Sequence, residues 1–334
     1  VNRENEDLRA EFFMHHALPA GFPLTPQFWQ CYSSDSISTA RQIMTTQKMQ
    51  IAFVLAATIV LAASTSLTAE KIPDDLKIGG FAVGCQAYTF NRFSVFEAIE
   101  KTDQAGGKVI EFYPGQKLSK EEPGVKWDHN ASEEVVQKVK EKLAKHTIRA
   151  VNYGVVGGAD EAEWRKIFEF AKKLGLYGIT TEDVGKLDII EKLVKEFDIR
   201  VGIHEHAKRP NDANYKIWDP NYVLSLVKDR DSRVGACADT GHWATSGLKP
   251  LDCIKILKGR VISLHLKERT EIGKQLPDTI YGTGVTDVDG ILDELKRQKF
   301  DGHISLEYEN NWDHSVPDVA QCIGFVRGYA AAKK

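Results

Sequence analysis

Four residues in this sequence have the types and placement for chemistry: Glu182 in GITTE, Asp239 in CADTGH, His265 in ISLHLKE and Glu307 in GHISLEYE. Three carboxylates and one imidazole make a mixed oxygen and nitrogen donor set. It suits Mn2+, Co2+ or Mg2+ and, less typically, Zn2+. Crowded together without a cation, the carboxylates would repel one another and at least one would have to protonate. A single acid after a strand is often only an N-cap or a solvated loop charge. The expectation of one divalent metal therefore rests on all four residues standing at the ends of separate strands.

Further candidates surround this set. His206 closes VGIHEH, and strand alternation puts His204 on the same face with Glu205 on the other. Of the two histidines, His204 is the better candidate for packing in the core. His242 follows Asp239 in DTGH, Lys267 lies two residues beyond His265 on the same face, and Glu111 ends the second strand. His206, His242, Lys267 and Glu111 are the expected substrate contacts. Lys267 could neutralise a developing oxyanion or simply stand in solvent.

A metal chelated by a carbonyl and a neighbouring hydroxyl of a substrate would polarise the carbonyl and acidify the adjacent C–H. Glu182 and Glu307, on opposite sides of the ion, are the expected acid/base pair, with an enediolate between the two proton transfers. Return of the proton to the neighbouring carbon isomerises, return to the opposite face epimerises, and loss of a β-substituent eliminates.

Such residues need a scaffold that aims strand ends at one point. From about Lys71 onward, short β-rich apolar runs alternate with longer helical patterns, the signature of βα units on a parallel sheet. Eight strands are predicted, at 82–89, 109–112, 149–153, 178–182, 200–206, 234–239, 261–267 and 303–307. Helices between them are marked by Ser94 with Glu97 and by Asp160 with Glu163, both fitting a capping box. The stripe Trp164, Ile167, Phe168, Ala171 and Leu174 ends at Gly175, which can take the left-handed position after a helix. Further helices are predicted at 132–145, 187–197, 220–228, 250–257, 288–298 and 317–332. Eight short-linked alternations, with no GxGxxG after the first strand, favour a single-domain (β/α)8 barrel over 75–332 rather than a doubly wound dinucleotide fold. Active sites of such barrels are built at the C-terminal ends of the strands, where the four candidates fall.

The chain has 334 residues, 42% of them hydrophobic and 27% charged, enough apolar material for a large core. A formal net charge of −3 provides no basic field for a nucleic acid, which is excluded as an expected partner. Near the N-terminus, the uncharged run IAFVLAATIVLAA follows Arg41 and Lys48 and precedes SLTA. That order is the layout of a signal peptide, taken as 44–69 with a cut after Ala69, and it leaves no stable membrane span after processing. Translation then starts at Met44 or Met49, and 1–43 is an over-extended start with no fold assigned. The expected location is periplasmic or secreted, with the cytoplasm as the alternative. Five cysteines, Cys31, Cys85, Cys237, Cys253 and Cys322, show no zinc-knuckle spacing, and Cys85, Cys237, Cys253 and Cys322, in strand-like or helix-like segments, read as small buried hydrophobes.

The stretch from Glu182 through VGIHEH, ADTGHW, ISLHLKE, YGTGVTDVDGILDELKRQKFDG and HISLEYE resembles the xylose-isomerase-like barrel superfamily of sugar phosphate isomerases and epimerases. That superfamily also contains inosose dehydratase and the AP-endonuclease family. The resemblance covers most of 75–332. It implies that Glu182, Asp239, His265 and Glu307 hold one divalent metal and that His206 and His242 touch substrate. Glu205 stands where many relatives have Asn. The resulting expectation is a metal-dependent isomerase or epimerase of an unphosphorylated sugar or keto-sugar, since an exported enzyme meets few sugar phosphates. The alternatives are a lyase or hydratase on oxidised (3-keto) sugars or glycosides, and a non-catalytic sugar-binding barrel. AP-endonuclease action is disfavoured by the acidic balance. Self-association into a homo-oligomer is left open.

Overall fold

Eight parallel strands close on themselves: β1 Phe81–Gln86, β2 Val109–Phe112, β3 Arg149–Tyr153, β4 Gly178–Thr181, β5 Arg200–His204, β6 Val234–Asp239, β7 Val261–Leu266 and β8 His303–Leu306. The computed structural model describes residues 71–333. The expected leader at 44–69 and the stretch 1–43 lie outside the described residues. Each strand pairs with the next in sequence, and β8 returns to β1, so no sheet edge remains. The predicted (β/α)8 barrel is what forms. Strands one, four, five, seven and eight stop one to three residues earlier than the apolar runs suggest; after β1 the chain turns at once into a 3-10 segment, Ala87–Phe90.

The helices follow their start signals. In α1, Val95–Gln104, Ser94 and Glu97 form the complete capping box. After α2, Glu133–His146, α3 runs from Glu161 to Leu174 and Asp160 accepts from the Glu163 N–H. The second half of that predicted box is absent, because the Glu163 carboxylate turns instead to His129 at 2.7 Å. Gly175 ends α3 at φ 65°, as expected of a left-handed stop. The remaining helices are α4 Leu187–Phe197, α5 Pro220–Val227, α6 Thr240–Thr245, α7 Pro250–Ile256, α8 Val288–Arg297 and α9 Val316–Ala332. Among the described residues, no helix is long and apolar enough to cross a membrane.

The main core lies between strands and helices, with Trp164, Ile167, Phe168 and Ala171 of α3 fully buried in it. Cys85, Cys237, Cys253 and Cys322 are buried and unbridged, as small apolar side chains are. A separate apolar cluster joins Ile72 to Ala82, Val109, Val151, Tyr177 and Ile262 at the N-terminal end of the barrel. The incoming chain is held there by a two-residue strand, Lys77–Ile78, antiparallel to β1 across Gly79 and Gly80 at φ 65° and 91°. Positive φ at both turn positions matches the right-handed twist of a two-residue hairpin, and glycine adopts it without strain.

Register sets the site. His265 on β7 lies level with Asp239 on β6 and Ser305 on β8, while Glu111 on β2 lies level with Gln86 and Asn152. Polar side chains from neighbouring strands thus face one another across the lumen at the C-terminal end.

Candidate active site

The C-terminal ends of the strands surround a cavity of about 990 Å3 whose walls include Glu182, His204, His206, His242, Glu307 and Glu309. Beneath it, Asp239, His265 and Lys267 are buried. One donor atom from each of His204, Asp239, His265 and Glu307 lies within 4.8 Å of the others. Three of the four ligands expected from sequence therefore meet. The fourth position in the cluster is taken by His204, not by Glu182.

Asp239 shows how the site is built. Its Oδ1 caps α6 by accepting the His242 N–H at 2.8 Å, which turns Oδ2 towards the lumen. Around Oδ2 stand Lys267 Nζ at 3.1 Å, His204 Nε2 at 3.5 Å, His242 Nε2 at 3.7 Å and His265 Nδ1 at 3.8 Å. None of these contacts is a well-formed hydrogen bond, and Oδ2, His204 Nε2 and His265 Nδ1 are all buried without one. Orphaned buried donors and acceptors carry a cost that a bound ion would remove. Two imidazoles and two carboxylates converging with free lone pairs fit a divalent metal.

Glu182 faces the same cavity from one layer out. Its Oε1 pairs with His204 Nδ1 at 3.0 Å, and its Oε2 accepts the Tyr215 hydroxyl at 3.0 Å. It is thus joined to the cluster through the far nitrogen of His204. Burial opposes its ionisation, but His204, His206 and Tyr215 outweigh this and hold its pKa below the ordinary value. His206 leaves the strand as β5 ends and lies ring to ring with His242, centroids 4.1 Å apart at 34°. Burial and the neighbouring Lys267 and His204 charges push His242 well below the ordinary histidine range, so it is neutral.

Lys267 is not in solvent. Its ammonium lies 2.6 Å from Glu309, 2.8 Å from Glu307 and 3.1 Å from Asp239. Burial would discharge it, but these carboxylates raise its pKa well above normal. In return, despite burial, Lys267 and His265 keep Glu307 ionised, and the Lys267 ammonium with His204 does the same for Asp239. Burial lowers His204, yet the neighbouring Asp239 and Glu182 carboxylates bring it up to about 9.

Glu111, expected among the substrate contacts, lies under the cavity floor and is fully buried. It accepts from Asn152 Nδ2 at 2.8 Å, Ser305 Oγ at 2.8 Å and His303 Nε2 at 3.4 Å, and it sits 3.2 Å from His265 Nε2. This arrangement braces His265 from behind and leaves Nδ1 for the cluster, as carboxylates do for metal-bound imidazoles. Two residues that sequence reasoning passed over also belong to the site. Glu309 shares the face of Glu307 by strand alternation, a signal present in LEYE. Tyr215 comes from the long loop after β5 and has no local signal.

Residues 99–327 match the xylose isomerase-like TIM barrel family. The chain belongs to that family. Among solved structures it resembles a putative uncharacterized protein from Parabacteroides distasonis, at 30% identity and a TM-score of 0.60, over 74% of this chain and 98% of that one. It also resembles a D-allulose 3-epimerase from Methylomonas at 14% identity and a TM-score of 0.58, over 75% and 98% of the two chains. The probable 3-DHS dehydratase of petrobactin synthesis from Bacillus anthracis follows at 15% and 0.54, over 72% and 97%. At these last two identities the likeness is one of fold. Comparison with curated proteins returns no match.

Proposed function

We propose that this chain is a divalent-metal-dependent isomerase or epimerase of an unphosphorylated sugar or keto-sugar, working by proton transfer through an enediolate. The observation that carries the reading is the convergence of His204, Asp239, His265 and Glu307 at the floor of an open cavity, with Glu182 facing the same space. The D-allulose 3-epimerase built on the same fold supports it. So does the leader-like run before residue 70, which favours an exported enzyme and an unphosphorylated substrate.

A divalent ion held by these four residues would supply Lewis-acid polarisation of a substrate carbonyl. Two imidazoles beside two carboxylates favour Mn2+, Co2+ or Zn2+ over Mg2+. Glu182 and Glu307 extend from β4 and β8, which are diametrically opposite in the ring of eight strands. Held ionised by its neighbours, Glu182 accepts a proton from the carbon beside the carbonyl, and Glu307 serves the opposite face. Neutral His242 both donates and accepts, so with His206 it orients substrate hydroxyls. Lys267 offsets negative charge developing on oxygen.

Elimination from an oxidised sugar is the second reading, favoured by the dehydratase that shares the fold. One experiment separates the two. The metal-loaded chain is incubated in D2O with ketoses, aldoses and 3-keto-glycosides, and products are followed by NMR. Deuterium at one carbon of an intact sugar supports isomerisation or epimerisation, while an unsaturated product supports elimination. No exchange with any sugar, together with no Mn2+, Co2+, Zn2+ or Mg2+ by elemental analysis, sinks the proposal.

A further inference from the structure

One wall of the cavity has no part in the chemistry above. Tyr88 lines it from the turn after β1, and Tyr113 lines it from the turn after β2. Tyr88 is 41% exposed, and only Val285 joins it as an exposed large hydrophobic among the described residues. A lone exposed aromatic is ordinary on a protein surface. This one is braced. Its ring meets Tyr113 edge-on at 5.3 Å and 78°, and Trp312 of the loop after β8 at 6.1 Å and 90°. Its backbone N–H is held by Gln86 Oε1 at 3.0 Å. Two loops therefore contribute rings to one apolar panel of the cavity wall, and a third packs Trp312 against Tyr88.

The position of the panel is informative. β1 lies between β8, which carries Glu307, and β2, which carries Tyr113. The wall thus begins one strand away from the reacting end. Size points the same way, because about 990 Å3 is at the top of the range for sites that enclose whole drug-sized ligands. A single hexose on the donor cluster leaves much of that space unfilled. What fits the remainder must have one flat apolar face for the tyrosines, and polar edges to suit the polar groups elsewhere around the cavity, Gln86, Gln275 and Glu309 among them. A pyranose ring, with hydroxyls at its edge and C–H groups on its face, has that character.

Resting on the function proposed above, we infer that the substrate is a glycoside of two linked sugar rings, the second packing on the Tyr88 and Tyr113 wall. Isothermal titration of the Mn2+-loaded full chain with the matched pairs glucose and cellobiose, galactose and lactose, and xylose and xylobiose tests this. At least one disaccharide should bind about tenfold tighter than its monosaccharide. Tyr88→Ala and Tyr113→Ala should each shrink that ratio towards one, and Tyr88→Trp, which keeps a ring, should retain it. A monosaccharide that binds as tightly as its disaccharide in every pair overturns the inference and leaves the proposed function standing. A ratio that survives both alanine variants also overturns it. Binding of no sugar of either size overturns the sugar-enzyme reading and this inference with it.

Discussion

Changing Lys267 to methionine removes a charge while keeping most of the side chain's length and volume. The ammonium is shut off from water and lies between Asp239, Glu307 and Glu309 at 2.6 to 3.1 Å. Glu309 is 30% exposed and can turn to solvent, but Asp239 is fully buried and Glu307 nearly so. Removing one partner of a buried pair strands the other charge and costs about 3–5 kcal/mol. With EDTA at pH 8, Lys267→Met should therefore unfold in urea with a stability lower by about that amount. A divalent ion bound by the same two carboxylates replaces the missing positive charge. At free metal a hundredfold above Kd, binding adds about 2.7 kcal/mol to a folded protein. In the wild type the ion must share Asp239 and Glu307 with the ammonium, so the Mn2+-induced gain should be larger in the variant. Paired urea titrations, with EDTA and over a range of Mn2+, read both quantities. A variant as stable as wild type in EDTA, or one that gains no more from Mn2+, refutes the idea that lysine and metal serve the same carboxylates.

Glu182→Gln should cut turnover by about 10²- to 10⁴-fold, as loss of a general base does, with metal affinity little changed, because Glu182 is outside the converging donors and the glutamine oxygen can still accept from His204 Nδ1. A parallel loss of metal would return Glu182 to the ligand set that the sequence suggested. Glu111→Ala should weaken metal binding about 10- to 100-fold by freeing His265, measured by competition with a chromophoric chelator. Glu111→Gln should be milder, since Ser305 and His303 can exchange donor and acceptor roles while the amide oxygen still faces Asn152 and His265. Equal effects of the two changes would argue against a bracing role. At the N-terminal end, the hydrogen bonds from Arg233 hold the Asp231 pKa below its ordinary value. An acid depressed in the folded state stabilises above its unfolded pKa, near 3.9, and loses that contribution as the pH falls. Asp231→Asn should thus cost about 1 kcal/mol at pH 7, after screening by solvent, with the difference closing below about pH 4. A gap that stays at its pH 7 size however far the pH falls would point to packing instead.

Alternation of apolar runs and capped helices made the barrel readable, because strand and helix periods differ and each start signal is local. The same logic found Asp239, His265 and Glu307, which need only lie at strand ends. It ranked His204 as the one packing in the core, but alternation says only that His204 and His206 share a face, and the structure instead puts His204 among the donors. What decides is where the pleat stops, and β5 stops at His204, which leaves that ring among the donors and His206 in the loop. The rotation of Glu182 towards His204 and Tyr215 depends on a loop residue 33 positions away, outside any local pattern. Lys267 and Glu309 were within reach, as each sits two residues beyond a ligand on the same face. Only the closed barrel shows that these two side chains meet, at 2.6 Å.

The apolar stopper formed by Ile72 at the lower mouth of the barrel has a practical meaning for truncation of the chain. It covers the N-terminal end of the barrel, the end opposite the cavity. It also fixes how far the front of the chain can be trimmed. A truncation that starts at Glu70 leaves the stopper seated, whereas one that starts beyond Ile72 removes the cover from the lower end of the barrel. The distance between an acceptable and a ruinous cut is three residues, Glu70 to Ile72.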